Sequence, residues 1–110
     1  METKITEREM WEIYVPTTNN AGKPFRTRFH RVWDKGVREV AGGLTILPPA
    51  RGQWVDQLTG LLYDERMIPV RIVCTREQIE KIMEFTAQYY DQIAVMATKI
   101  SDTTLTFTLE

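Results

Sequence analysis

The sequence has a single cysteine, Cys74, and a single histidine, His30, among 110 residues. One thiol excludes an internal disulfide and fits a reducing compartment. One thiol and one imidazole are also too few for a Cys/His metal centre, so the expected cofactor set is empty. Excess charge of one sign is lacking too: 14 Lys and Arg stand against 15 Asp and Glu. That balance is not the field of a nucleic-acid binder. A local basic stretch runs from Lys23 to Arg38, but Asp34 and Glu39 share its helix, and it reads as a solvated face. No run approaches the roughly 18 apolar residues of a membrane span, and METKITERE at the start has no signal-peptide core. The expectation is a cytoplasmic protein with neither membrane nor nucleic acid as partner. The hydrolase elbow G-x-S-x-G, both Gly-rich phosphate loops and the H-E-x-x-H metal motif are all missing.

What is present is ordinary globular material, 43% hydrophobic and 26% charged, at a length that predicts one domain over 1–110. In MWEIYV (10–15), Trp11, Ile13 and Val15 alternate with Met10, Glu12 and Tyr14, which predicts a strand ended by Pro16. TTNNAGK (17–23) is turn chemistry. From Pro24 to Ala41 the period changes. Phe25, Phe29, Val32, Trp33, Val37 and Val40 form one helical stripe, and Gly42-Gly43 marks its end. Gly36, inside that stretch, costs about 1 kcal/mol relative to Ala and is read as allowing a close helix–sheet approach.

LTIL (44–47) predicts a short strand stopped by Pro48-Pro49, and 51–60 an irregular or hairpin region. Leu61 to Cys74 predicts a long strand, with Ile68, Val70, Ile72 and Cys74 on one face. Glu65, Met67, Arg71 and Val73 take the other, and Pro69 predicts a bulge or break. Thr75-Arg76-Glu77-Gln78 is a capping box opening a helix striped by Ile79, Ile82, Met83, Thr86, Tyr89 and Tyr90. Gln92–Lys99 and Thr103–Leu109 predict two last strands turning at Ser101-Asp102.

The order is βαββαβ plus an extra C-terminal strand. That is an α+β, ferredoxin-like antiparallel sheet with both helices on one face. The other face carries large apolar residues, so a homo-oligomer is expected to cover it.

Chemistry concentrates in residues 42–71. Glu65 lies on the strand face opposite the core, where a carboxylate either pairs with an arginine such as Arg71 or waits for a cationic ligand. Trp54 offers a platform for a cation or a purine. His30 reads as structural, and one of Tyr89 and Tyr90 as core.

At this segment the chain resembles two families. One is a widespread uncharacterised bacterial family patterned as Gly43-Leu44-Thr45, Gly52-Gln53-Trp54, Gly60, Glu65 and a helix ending in Tyr89-Tyr90. The other is the phage-encoded S-adenosylmethionine (SAM) degrading enzymes, long called hydrolases and better described as lyases. The similar stretches are Thr59-Gly60 through Tyr63 and Glu65, Val70 to Cys74, the helix that follows, and Ala94 to Lys99.

The second resemblance implies a trimer binding SAM between subunits, with Glu65 and Tyr63 as catalytic residues and Trp54, Arg71 and Gly60 contacting substrate. Glu65 matches the family's carboxylate; its tyrosine is either replaced by Trp54 or supplied by Tyr63. The implied reaction yields methylthioadenosine and a homoserine lactone. The alternative is a non-enzymatic nucleotide-binding module, with Arg51, Arg66 and Arg71 meeting phosphates.

Overall fold

These patterns resolve into seven elements in the computed structural model, which describes residues 4–109. They are β1 (Lys4–Pro16), α1 (Thr27–Ala41), β2 (Thr45–Ile46), β3 (Ala50–Val55), β4 (Leu62–Val73), α2 (Arg76–Tyr89) and β5 (Ala97–Thr108). The antiparallel sheet runs β2-β4-β1-β5, with β3 also on β4. This is the α+β, ferredoxin-like arrangement. Its second strand is split into β2 and β3 because Pro48 and Pro49 have no N–H for the ladder.

Pro69 produces no break. The β1–β4 register runs without a shift from Met10↔Val73 to Pro16↔Met67. Pro69 O accepts from Leu47 N at 2.9 Å, and a strand residue's N and O point the same way. Its missing donor therefore faces Leu47, at the end of β2, and not β1, so the β1–β4 ladder loses no bond.

The C-terminal hairpin is replaced by one strand. β5 follows β1 along nearly its whole length, with register shifts between Arg8 and Met10 and between Met10 and Trp11. The turn residues Ser101-Asp102 make a bulge instead. Thr103 N donates to Ser101 Oγ at 3.0 Å, and Lys99 bridges Glu9 and Asp102 across the irregularity. A thirteen-residue β1 offers ladder partners on both sides of the bulge, so the chain has no cause to turn back. The fifth strand of the sheet is β3, in mid-chain.

Trp11, Ile13 and Val15 of β1 meet Val70 and Ile72 of β4 beneath Trp33 and Val37 of α1 and Ile79 and Ile82 of α2. Cys74 and Tyr90 complete this core, and burial pushes the Cys74 thiol up to about 11. α1 starts at Thr27, because Pro24 to Arg26 stay extended and Phe25 N donates to Thr17 O at 3.0 Å. Val32 is half exposed at the stripe's margin. Gly36 serves helix–helix contact, not the sheet: a Cβ there meets Phe85 Cε2 at 2.6 Å. The expected capping box forms, with Thr75 Oγ1 accepting from Gln78 N and Gln78 Oε1 from Thr75 N.

Two ribbons project from opposite ends of the sheet. β1 and β4 are offset, so β4 runs on past Pro16 with β3, and β1 runs on past Val73 with β5. The molecule measures 59 × 30 × 23 Å with a radius of gyration of 15.8 Å, against about 13 Å for a compact globule of this length.

Candidate functional site

The β3–β4 ribbon carries most of the residues singled out from the sequence. Its register pairs Gly52 with Glu65 and Trp54 with Tyr63, which puts Trp54, Tyr63 and Glu65 on one face. The Trp54 and Tyr63 rings stack with centroids 4.4 Å apart and planes 13° apart. Gly52 leaves room for Met67, whose Cε lies 2.8 Å from where a Cβ would stand. Glu65 is thus flanked along its strand by the aromatic pair and by a thioether. Met67's part in this surface was not foreseen. Its shared face with Glu65 was legible, but the partner strand's register was not.

On the opposite face of the ribbon Asp64 is already bound. Arg51 Nε donates to Asp64 Oδ1 at 2.9 Å, its Nη2 bonds Oδ2, and Gln53 Nε2 adds a bond to Oδ2 at 3.2 Å. The Arg51 guanidinium holds the Asp64 carboxyl down to about 2. At the tip, Asp56 Oδ1 accepts from Leu58 N and Thr59 N, which keeps its carboxyl below the usual range. Gly60 sits at φ +72°, left-handed backbone that a glycine enters without strain. Its place is the turn.

Glu65 differs from these carboxylates. It is exposed, and among the described residues no basic side chain bonds it. Arg71 shares its face but stands six residues along β4, about 20 Å away. Arg71 is committed elsewhere: its Nε donates to Glu12 Oε1 at 3.1 Å, while Tyr14 Oη donates to Glu12 Oε2 at 2.9 Å. Only 9% of Glu12 is exposed. The structure therefore brings Glu65, Trp54, Tyr63 and Gly60 together on the ribbon and places Arg71 on the sheet body in a network with Glu12 and Tyr14. The alternation in 10–15 put Glu12 and Tyr14 on that outer face; their partner lay 59 residues away from Glu12, beyond any local pattern.

Among the described residues no group of three His, Cys, Asp or Glu is placed to hold a metal ion, and no helix is long and apolar enough to cross a membrane. His30 is half-buried, its Nδ1 2.6 Å from Tyr90 Oη, and burial lowers its pKa. Tyr90 is the core tyrosine of its pair.

No protein-family profile matches the sequence, and no curated protein matches it. Solved structures do. A phage SAM lyase in complex with S-methyl-5'-thioadenosine superposes with a TM-score of 0.65 at 12% identity, over 94% of this chain and 90% of that one. The divalent cation tolerance protein CutA1 from Thermus thermophilus gives 0.59 at 18% identity, over 87% and 85%. A Bacillus cereus protein related to NIF3 gives 0.59 at 12% identity, with 99% of this chain covering 31% of that one. At these identities the likeness is one of fold: the chain has the ferredoxin-like architecture of the phage lyase and of the CutA proteins.

Proposed function

We propose that the protein is a SAM lyase whose site is centred on Glu65 and completed by a neighbouring copy in a cytoplasmic homo-oligomer, a trimer by the family likeness. One observation carries the reading. Glu65 is an uncommitted carboxylate beside a stacked indole–phenol pair, on a ribbon whose other carboxylates are already bound. An acid of this kind attracts an ammonium, and exposed π-faces attract a sulfonium. SAM carries both. The likeness in fold to a lyase solved with a thioadenosine supports the same class of ligand.

The chemistry asks little of the protein. A carboxylate oxygen of the methionine moiety attacks its own γ-carbon, a C–O bond forms, and the C–S bond breaks toward the sulfonium. The pair of electrons neutralises sulfur, giving methylthioadenosine, while homoserine lactone leaves with its ammonium intact. No proton moves and no group on the protein is consumed. The task is to fold the methionine tail into attack geometry, a positioning effect. Glu65 grips the ammonium; Trp54 and Tyr63 face the sulfonium or the adenine. Gly60 shapes the tip that presents them. Arg71, bound by Glu12 and about 20 Å from Glu65 along β4, meets the same ligand only if it comes from a second chain.

Chromatography of purified protein incubated with SAM is expected to show methylthioadenosine and homoserine lactone in equal amounts. Glu65→Gln removes a charge-assisted bond worth about 1.5–3 kcal/mol, so turnover should fall about 10- to 100-fold. Intact turnover in that variant removes Glu65 from the mechanism, and SAM left uncleaved by the parent protein removes the lyase reading. The nucleotide-module reading keeps one of its three cations at this segment: Arg51 and Arg71 are spent on Asp64 and Glu12, while Arg66 bonds no carboxylate among the described residues.

A further inference from the structure

Where the β3–β4 ribbon leaves the sheet, one side chain takes over from the ladder. The β1–β4 pairing ends at Pro16↔Met67, and beyond it β4 has β3 alone as a partner. Trp54, Val55, Leu61 and Leu62 are exposed along the ribbon, so no packed layer sets its direction. The fork does. Thr17 is the next residue after Pro16, and its hydroxyl donates to Arg66 O at 3.0 Å. Its N–H reaches the same oxygen at 3.4 Å, beyond the usual range of about 2.7–3.2 Å. The hydroxyl is therefore the stronger tie, and it holds the residue next to Glu65.

Thr17 is itself braced from behind. Its carbonyl accepts from Phe25 N at 3.0 Å, and Thr18 pairs with Pro24. Asn19 closes the loop between them: its N–H donates to Lys23 O at 2.7 Å, and its Oδ1 accepts from Ala21 N and Lys23 N at 2.9 Å each. Asn20 Nδ2 donates to Asp91 O at 3.0 Å, which moors the loop to the end of α2. The turn chemistry of residues 17–23 thus builds a strut from the helical layer to the ribbon, and the Thr17 hydroxyl is its contact with β4.

A small pivot at Arg66 grows along the ribbon. Tyr63 stands three residues further on, about 10 Å away, so a tilt of about 6° carries the aromatic pair through about 1 Å. A displacement of that size is costly to a reaction that depends on positioning.

We propose that Thr17 is a positioning residue of the Glu65 site. Its hydroxyl, bound to Arg66 O, fixes the angle of the ribbon and so the gap between the ribbon's face and the wall supplied by the neighbouring copy. This rests on the lyase reading above. Thr17 touches no ligand and takes no part in bond making. It acts on kcat through the alignment of the methionine tail and leaves the grip of Glu65 on the ammonium in place.

Steady-state kinetics with SAM on Thr17→Val, which keeps the shape and loses the hydroxyl, is the first test. The kcat should fall about 3- to 10-fold, the equivalent of one neutral hydrogen bond, with KM within about twofold of the parent's. Thr17→Ser keeps the hydroxyl and should keep kcat. Light scattering should give the parent's oligomer for both variants. Residual dipolar couplings read the ribbon's angle without turnover. Those of residues 52–65 should fit the core's alignment in the parent protein and in Thr17→Ser, and shrink in Thr17→Val alone. An unchanged kcat in Thr17→Val, a loss carried by KM, an equal loss in Thr17→Ser, dissociation of the oligomer, or ribbon couplings indifferent to the valine would each overturn the proposal. SAM left uncleaved by the parent protein removes the lyase reading instead, and the couplings then decide whether Thr17 holds the ribbon.

Discussion

Trp33 and Thr86 show how one polar group organises the helical layer. Trp33 is 1% exposed and Thr86 wholly buried. The indole Nε1–H donates to Thr86 Oγ1 at 3.0 Å, and that hydroxyl donates in turn to Ile82 O at 2.6 Å. Thr86→Val keeps the shape and removes the acceptor, leaving a buried N–H without a partner, at a cost of about 1–3 kcal/mol. Urea unfolding should show that loss. Adding Trp33→Phe to Thr86→Val should cost less than the two single losses summed, since the orphaned donor goes with the indole. Equal and additive losses would mean the bond does not couple the two helices. From the sequence, Thr86 was legible as a stripe position and Trp33 as core. The bond between them was not, because 53 residues separate the partners.

Among elements, the join between α1 and α2 rests on Gln78. Its Oε1 closes the capping box on Thr75 N at 2.9 Å, while its Nε2 donates to Val40 O at 2.9 Å, near the end of α1. Glutamate serves a capping box equally well in general. Here Gln78→Glu keeps the cap and sets a carboxylate against a carbonyl oxygen. A loss of about 1 kcal/mol is expected, read in the same denaturation experiment, whereas a purely local cap predicts no change or a gain. The box itself was legible from four consecutive residues, as were both helices and the faces of β1 and β4, because each rests on local periodicity. The two errors in the strands share one cause. Pro69 and Ser101-Asp102 are breakers by composition, yet each sits where a neighbouring strand decides the outcome: the end of β2 takes the missing donor of the first, and a long continuous β1 lies opposite the second. The candidate site divides the same way. Glu65, Trp54 and Tyr63 fell together because β3 and β4 form a hairpin, while Arg71 was drawn to Glu12 by a register no local pattern encodes.

For the whole molecule, the offset between β1 and β4 leaves two ribbons without a layer over them. In the β1–β5 ribbon Ile5, Leu105 and Phe107 are each at least 60% exposed, and β5 is an edge strand with no charged residue from Thr103 to Leu109. A two-stranded ribbon is marginal alone in water, and an uncharged edge is a template for another chain. The other ribbon exposes Trp54, Val55, Leu61 and Leu62 as well. Copies meeting through these ribbons would bury both surfaces and enclose Glu65. Light scattering should accordingly give an oligomer for the parent protein and a monomer for Leu105→Lys/Phe107→Lys. Neither residue belongs to the core around Trp33, so the near-ultraviolet signal of the buried aromatics should persist in the variant. SAM turnover should fall together with assembly, although no side chain near Glu65 has been altered. A monomeric variant with full turnover would place the whole site within one chain. A parent protein that is itself monomeric would leave Glu65 in open water, with nothing to bring a second wall to the ligand, and the positioning on which the lactone-forming step depends would be lost.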